Sequence, residues 1–181
     1  GEFLNTTEDR NVSHMMHRDL SNSQSTRELK EISDQRNKLR NFIDILQGAS
    51  ESYIDTVISI SIGGSRLGPE LLSEVYGNPY SKIKVCYCSS YDFIELENVM
   101  STRNPARTLV VISSKSFNTP EVIENANKAK DWLKSVVGDH CWDRIIGISS
   151  NKEAMTEFGI EDANQFEILD SVGGRYSIWS S

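Results

Sequence analysis

Short apolar segments alternate with amphipathic segments over most of this chain of 181 residues. Apolar residues recur at helical spacing between the short segments, and also before them over Ser25–Gln47. Strands that are apolar on both faces and alternate with helices form a parallel sheet that is covered on both sides. The sequence therefore predicts an α/β fold, a three-layer sandwich in which helices flank a five-stranded parallel sheet. The five predicted strands are Thr56–Ile62, Ile83–Cys88, Thr108–Ile112, Arg144–Ile148 and Phe166–Leu169.

The composition limits the class of protein. With 38% hydrophobic and 25% charged residues the chain is typical of a globular protein, and its length suits one α/β domain. A net charge of −7 argues against a nucleic-acid partner, because nucleic-acid phosphates attract clustered Lys and Arg. No apolar run reaches the roughly 18 residues that cross a membrane. The three cysteines show no metal-binding spacing, and a reducing cytoplasm fits them best.

The domain organisation is expected to be simple. Residues 1–22 have weak periodicity and are predicted to form an N-terminal segment, with a short helix through Val12 and Met16. This segment is expected to pack on a single domain over residues 23–181. The chain begins with Gly1 rather than Met and ends inside a predicted helix. We therefore expect a piece of a longer protein.

A hydroxyl-rich loop follows the third predicted strand. The segment Val110–Thr119 reads VVISSKSFNT, an apolar strand followed by serines, one lysine and a threonine. Thr119 and Pro120 are typical of an N-cap followed by proline at the first position of a helix. Backbone N–H groups and the dipole at a helix N-terminus attract anions, and the hydroxyls and lysine would complete the contacts. We predict a phosphate site here, with an ordinary polar loop and helix cap as the alternative.

Two glycine-containing loops follow the first and fifth predicted strands. Gly63-Gly64-Ser65 would let the backbone approach a ligand closely, although a tight strand-to-helix turn explains it equally well. Gly173-Gly174-Arg175 places an arginine beside glycines. An arginine there suits recognition of an oxyanion, and an ion pair with a carboxylate such as Asp170 is the alternative. Because ligands bind beyond the carboxyl ends of parallel strands, all three loops are expected to share one site.

These loops resemble signature segments of the glucose-6-phosphate isomerase family. The similar segments are SIGGSRLGP at Ser61–Pro69, SSKSFNT within Val111–Thr119 and DSVGGRYSIW at Asp170–Trp179, and Gly1–His14 resembles a fourth. They occur in the order that the family has and cover essentially the whole chain. The resemblance implies a sugar-isomerase (SIS) domain, whose five-stranded sheet is flavodoxin-like or Rossmann-like.

The resemblance also implies roles for single residues. Gly174 and Arg175 match a pair beside C1 and C2 of the sugar, where the arginine is thought to stabilise an enediolate. The chain departs from the family pattern at Arg66, where aspartate is usual, and at Pro120, where a polar residue is usual. The Arg66 side chain would either add a phosphate contact or point into solvent. Binding of the sugar phosphate is implied for Gly64, Ser65, Ser114, Lys115, Ser116 and Thr119.

The implied reaction is the reversible conversion of glucose 6-phosphate to fructose 6-phosphate, a step of glycolysis and gluconeogenesis that proceeds through an enediol. In the family the base glutamate and the ring-opening histidine come from segments after the point where this chain ends. Glu70 and Glu121 stand near predicted helix starts and are interpreted as helix-dipole partners rather than replacement bases. The chain alone is therefore expected to be inactive.

The resemblance further implies a homodimeric, cytoplasmic enzyme with no cofactor and no metal. The main alternative is a non-catalytic phosphosugar sensor built on the same domain. A nucleotide-binding Rossmann domain is a weaker alternative, because it needs an acidic residue at the end of the second strand and Asp92 comes late for that role.

Overall fold

The computed structural model of the chain describes residues 4–5, 10–11, 26–48, 54–169, 172 and 178. Its helices are α1 (Thr26–Gly48), α2 (Gly64–Tyr76), α3 (Ile94–Thr102), α4 (Pro120–Val137) and α5 (Lys152–Phe158). Its strands are β1 (Leu4–Asn5), β2 (Arg10–Asn11), β3 (Thr56–Ser61), β4 (Lys84–Cys88), β5 (Thr108–Ser113), β6 (Ile145–Ser149) and β7 (Gln165–Glu167).

Strands β3 to β7 form one parallel sheet in the order β4-β3-β5-β6-β7, which confirms the predicted fold class. The chain leaves β3 toward β4 on one side and then returns to place β5 on the other side. The strand order therefore reverses between β3 and β5, where open α/β sheets bind their ligands. Strands β1 and β2 pair with each other in a separate antiparallel ribbon.

The core lies on both faces of the sheet, as a three-layer sandwich requires. On one face, fully buried side chains of β3 and β5 meet an apolar stripe of α4 made by Val122, Ala126, Ala129 and Leu133. On the other face α1 packs on the sheet, where the rings of Phe42 and Phe166 meet edge to face with centroids 5.5 Å apart. No helix among the described residues is long and apolar enough to cross a membrane.

One local prediction is wrong. The sequence pattern predicts a helix over about Pro69–Tyr76, with the proline in its first turn, whereas α2 begins five residues earlier at Gly64. Pro69 therefore lies inside the helix, at the loss of one backbone hydrogen bond. Arg10 and Asn11 pair with Leu4–Asn5, which satisfies their backbone groups, and the predicted helix through Val12 and Met16 lies outside the described residues. The predicted packing of residues 1–22 on the domain stays a prediction.

Candidate functional site

The loops after β3 and β5 begin side by side at the carboxyl edge of the sheet. Ser61, the last residue of β3, pairs in register with Ser113, the last residue of β5. Ser113 in turn pairs with Ile148 of β6. Because neighbouring strands lie about 4.8 Å apart, residues 62–63 with the start of α2, and the loop at 114–119, leave the sheet close together. The expectation that these two loops share an edge is confirmed.

The end of β6 and the loop that follows it hold the backbone of the loop at 114–119. The Lys115 carbonyl accepts hydrogen bonds from the hydroxyls of Ser149 and Ser150, both at 2.8 Å, and from the Ser150 amide at 3.0 Å. The Ser116 carbonyl accepts from the Asn151 side-chain amide at 3.2 Å. With its carbonyls bonded toward β6, the loop has a defined conformation before any ligand arrives.

Phe117, whose side chain packs in the core, fixes the backbone shape of the same loop. Its φ of 52° lies in the left-handed region, which is uncommon for residues other than glycine. The side chain is only 3% exposed, and its ring meets that of Phe158 edge to face at 5.8 Å. Such strain persists where packing over-determines it, and it concentrates at ligand sites.

The sequence prediction missed both Phe117 and the hydrogen bonds from residues 149–151. An aromatic residue within an otherwise polar loop was the signal for Phe117. The run Ser149-Ser150-Asn151, polar residues between a strand and a helix, was the signal for the loop after β6.

Thr119 is the N-cap residue of α4 and Pro120 follows at the first helical position, as predicted. The Thr119 hydroxyl nevertheless makes no capping bond, so the ordinary cap does not account for this side chain. Instead its Oγ1 lies 3.2 Å from the Ser114 Oγ, which places two predicted phosphate ligands at hydrogen-bond distance. Ser114 is 5% exposed, Thr119 and Lys115 are half-buried, and Ser116 is exposed.

Gly63 shapes the start of the neighbouring helix. Its φ of 57° with ψ of −129° belongs to a backbone region that residues other than glycine rarely adopt. Its carbonyl accepts from the amides of Arg66 and Leu67 at 3.1 and 2.9 Å, so Gly63 is the N-cap of α2. Gly64 and Ser65 therefore stand in the first turn of a helix whose positive dipole end points out of the same sheet edge as that of α4.

A mostly apolar cavity of about 240 Å³ lies between α1 and the sheet and reaches this edge. Ser65, in the first turn of α2, and Ser113, the last residue of β5, both line it. The predicted phosphate ligands Ser114, Lys115, Ser116 and Thr119 are not part of its lining. The remaining lining residues are Gln35, Leu39, Phe42, Pro69, Val111, Ile146, Ile148, Phe166, Glu167 and Ile168.

The Arg66 side chain does neither of the two things expected of it. It pairs with Glu70 one helical turn on, with N–O distances of 3.0 and 3.2 Å, and with both oxygens of Glu95 at 3.2 Å. It also donates to the Ser89 hydroxyl. The hydrogen bond to Glu70 raises the pKa of Arg66 against the effect of burial, and Glu95 adds to the rise. Glu70 is thus an ion-pair partner rather than a dipole partner.

The other two predicted site residues, Gly174 and Arg175, lie outside the residues that the structure describes, as does Asp170. Ile178 is described, and it lies against α2. A Cβ atom placed on Gly68 would come within 3.0 Å of the Ile178 Cβ, so the absence of a side chain at Gly68 permits the contact.

The three cysteines are free thiols, and Cys88 and Cys141 are buried in the core. Burial raises the pKa of Cys88 to about 12, with the Glu95 charge adding to the effect. Over the described part of the chain, no group of three or more His, Cys, Asp or Glu side chains is arranged to hold a metal ion.

Comparison with known proteins connects this fold to one family. A sequence model described as Phosphoglucose isomerase matches residues 1–181. Among solved structures, a glucose-6-phosphate isomerase from Chlamydia trachomatis is similar with a TM-score of 0.76 and 24% identity, over 94% of this chain and 33% of that one. A hypothetical protein from Thermus thermophilus is similar with a TM-score of 0.66 and 25% identity, over 93% and 37% of the two chains.

A further similar structure is the NanR protein of Vibrio vulnificus complexed with ManNAc-6P. Its TM-score is 0.52 and its identity 14%, over 92% of this chain and 60% of that one. At such identities the likeness is one of fold. This chain spans about a third of the length of the first two structures, 33% and 37%.

Proposed function

This chain belongs to the phosphoglucose isomerase family, and from that premise we propose that it supplies the sugar-phosphate-binding half of an aldose–ketose isomerase. The substrates are glucose 6-phosphate and fructose 6-phosphate. One observation carries the proposal. Helices α2 and α4 follow the adjacent strands β3 and β5, so their N-termini lie side by side where the strand order reverses.

The phosphate is assigned to the loop at 114–119. Each helix N-terminus carries roughly half a positive charge, and a phosphate dianion placed before α4 gains from it. The Ser114 and Thr119 hydroxyls lie 3.2 Å apart, and each O–H can rotate from its neighbour to donate to a phosphate oxygen. Lys115 and Ser116 stand between them on a backbone that the β6 loop already holds, so little ordering is needed on binding.

The sugar is assigned to the space between the phosphate loop and the start of α2. Gly64 and Ser65 would contact the sugar phosphate from the first turn of that helix. Gly174 and Arg175 would stand beside C1 and C2, where a guanidinium stabilises the negative oxygen that forms as the proton leaves. The contact of Ile178 with Gly68 supports an approach of this segment to α2.

The base that moves the proton between C1 and C2 is assigned to a part of the enzyme beyond this chain. A general base must reach the proton through a hydrogen bond or one water molecule. Glu70 already has both of its oxygens bonded to Arg66, which removes it as a candidate. We therefore propose that the chain alone binds substrate and does not turn it over. From the family we also propose that the intact enzyme is a cytoplasmic homodimer.

The second candidate is a phosphosugar sensor without catalysis. The likeness in fold to NanR, a protein whose structure holds ManNAc-6P, favours it. The two candidates share the phosphate loop and differ in the remaining segments of the parent protein, because a sensor needs no base. Isomerase turnover by the parent protein would exclude the sensor.

Calorimetric titration of the purified chain with inorganic phosphate and with glucose 6-phosphate tests the shared part of both candidates. Lys115→Ala should weaken binding about tenfold, the size of one charge-assisted hydrogen bond. Lys134→Ala is the matched control, since it removes the same charge from the far end of α4, where Lys134 pairs with Asp139 at 3.3 Å. Equal affinities of the two variants would contradict the assignment of the phosphate loop.

A further inference from the structure

The loop between β4 and α3, residues 89–93, contacts both of the helices that form the candidate site. From α2, Arg66 donates to the Ser89 hydroxyl. From α4, the Asn125 side-chain amide donates to the Ser90 carbonyl at 3.0 Å. These two contacts join helices whose first turns are separated in sequence by more than fifty residues. The loop itself has no place in the proposed contacts with the sugar phosphate.

Glu95, in the first turn of α3, binds the loop and Arg66 at once. One of its oxygens accepts from the amides of Ser89 and Ser90 at 2.7 and 3.1 Å, and both oxygens face the Arg66 guanidinium at 3.2 Å. Burial alone would raise the pKa of Glu95, but the Ser89 amide, the Arg66 guanidinium and the Ser90 amide together lower it. Glu95 is therefore ionised at neutral pH, which gives charge-assisted bonds on both sides.

Asn125 completes the connection on the α4 side. It is 1% exposed, and its amide nitrogen donates to the Glu121 carbonyl at 2.8 Å as well as to Ser90. A buried amide that loses its partners is costly, so this side chain resists displacement. Next to it, Lys128 pairs with Glu97 of α3 and lies 4.4 Å from the centre of the Phe93 ring.

On the premise of the proposed function, we propose that Arg66, Glu95 and Asn125 are positioning residues of the sugar-phosphate site. Together they form a polar brace, from α2 through residues 89–90 to α4, that sets the relative position of the two helix N-termini. A ligand that bridges both N-termini gains from this because no binding energy is lost in bringing them to the right separation. The brace depends on Arg66, a position where this chain departs from the family pattern.

The test compares Glu95→Gln with Asp55→Asn. Glu95→Gln keeps an acceptor for the loop amides and removes the charge that holds Arg66. Asp55→Asn removes an equally exposed carboxylate, 38% in both cases, from an ion pair with Arg107 at 2.8 Å. That pair joins the amino ends of β3 and β5, the far edge of the sheet from the site. Arg66→Lys serves as a second brace variant, because lysine keeps the charge but lacks the fork that reaches two carboxylates.

Titration with glucose 6-phosphate and the midpoint of thermal unfolding are measured for all three variants. Glu95→Gln is expected to weaken binding about tenfold, equivalent to about 1.4 kcal/mol, and Arg66→Lys to a smaller degree. Asp55→Asn is expected to lower the unfolding midpoint without changing affinity. If the brace variants lower only the unfolding midpoint, their role is structural and the proposal is overturned.

Failure of the proposed function has a different signature. If the unaltered chain binds neither inorganic phosphate nor glucose 6-phosphate, the candidate site is wrong. The proposal for the brace is then overturned as well, because there is no site to position. If the unaltered chain binds and the brace variants bind equally well, only the brace is overturned.

Discussion

Replacement of Gly63 by alanine isolates the effect of one backbone conformation on the site. At φ 57° and ψ −129° a residue with a Cβ is strained by about 1–3 kcal/mol. A Cβ at this position would meet nothing within 4 Å, so no steric contact adds to the cost. Alanine also lowers the conformational entropy of the unfolded chain, which stabilises the folded state by about 0.4–1 kcal/mol and offsets part of the strain. The expected net loss in the free energy of unfolding is about 1–2 kcal/mol, or roughly 2–8 °C in Tm for a chain of this length.

Gly138 provides a matched control within the same protein. It follows the last turn of α4 with φ 62° and ψ −139°, nearly the conformation of Gly63, and a Cβ there would also meet nothing within 4 Å. Gly138→Ala should therefore cost the same free energy of unfolding. Its position at the C-terminal end of α4 is remote from the candidate site.

The two variants should separate in their affinity for glucose 6-phosphate. Gly63 is the N-cap of α2, so relaxation of its backbone toward negative φ would rotate the first turn that holds Gly64 and Ser65. We expect about tenfold weaker binding for Gly63→Ala and unchanged binding for Gly138→Ala, measured by calorimetry well below either Tm. Equal affinities would refute the link between the Gly63 conformation and the site, and a loss of stability at only one glycine would refute the strain estimate.

Three further measurements check the core, the brace and the thiols. Gly147→Ala should lower the free energy of unfolding by about 1–3 kcal/mol in a denaturant titration, since the new Cβ would lie 2.7 Å from the Met155 Sδ. The Glu95 carboxylate should make the protein more stable than Glu95→Gln, and this difference should be complete above the unfolded pKa of about 4.3. The difference should vanish as the pH falls through the lowered pKa of Glu95 in the folded protein, as unfolding midpoints between pH 3 and 7 would report. Iodoacetamide at pH 8 should modify half-buried Cys86 before buried Cys88, as peptide mass analysis would report; the reverse order would contradict the burial.

The sequence predicted those parts of the site that depend on short stretches of chain. The strand that ends at Ser113 and the N-cap at Thr119 follow from residue types that are adjacent or nearly so. The two glycines at 63 and 64 were a sufficient signal for an unusual backbone conformation. The start of α2 was misplaced because proline favours the first turn of a helix, whereas Pro69 lies inside α2 with one backbone hydrogen bond missing.

Contacts between distant residues were beyond such reasoning. Arg66 was expected at the phosphate or in solvent, whereas its partner Glu95 lies 29 residues away and meets it only because β4 pairs beside β3. The Lys115 carbonyl likewise finds its donors at the end of β6 and just after it, 34 and 35 residues further on, because β6 pairs with β5. Strand register decides such partners, and no local pattern encodes it.

By itself, then, the sequence determined the α/β class, the parallel sheet and the chemical character of the loops, because periodicity and capping act over a few residues. Only the tertiary structure decided which hydroxyls meet and which charges pair. It also decided how the helix N-termini are held beside each other. Those outcomes depend on the strand order β4-β3-β5-β6-β7, which brings loops from distant parts of the chain to one edge.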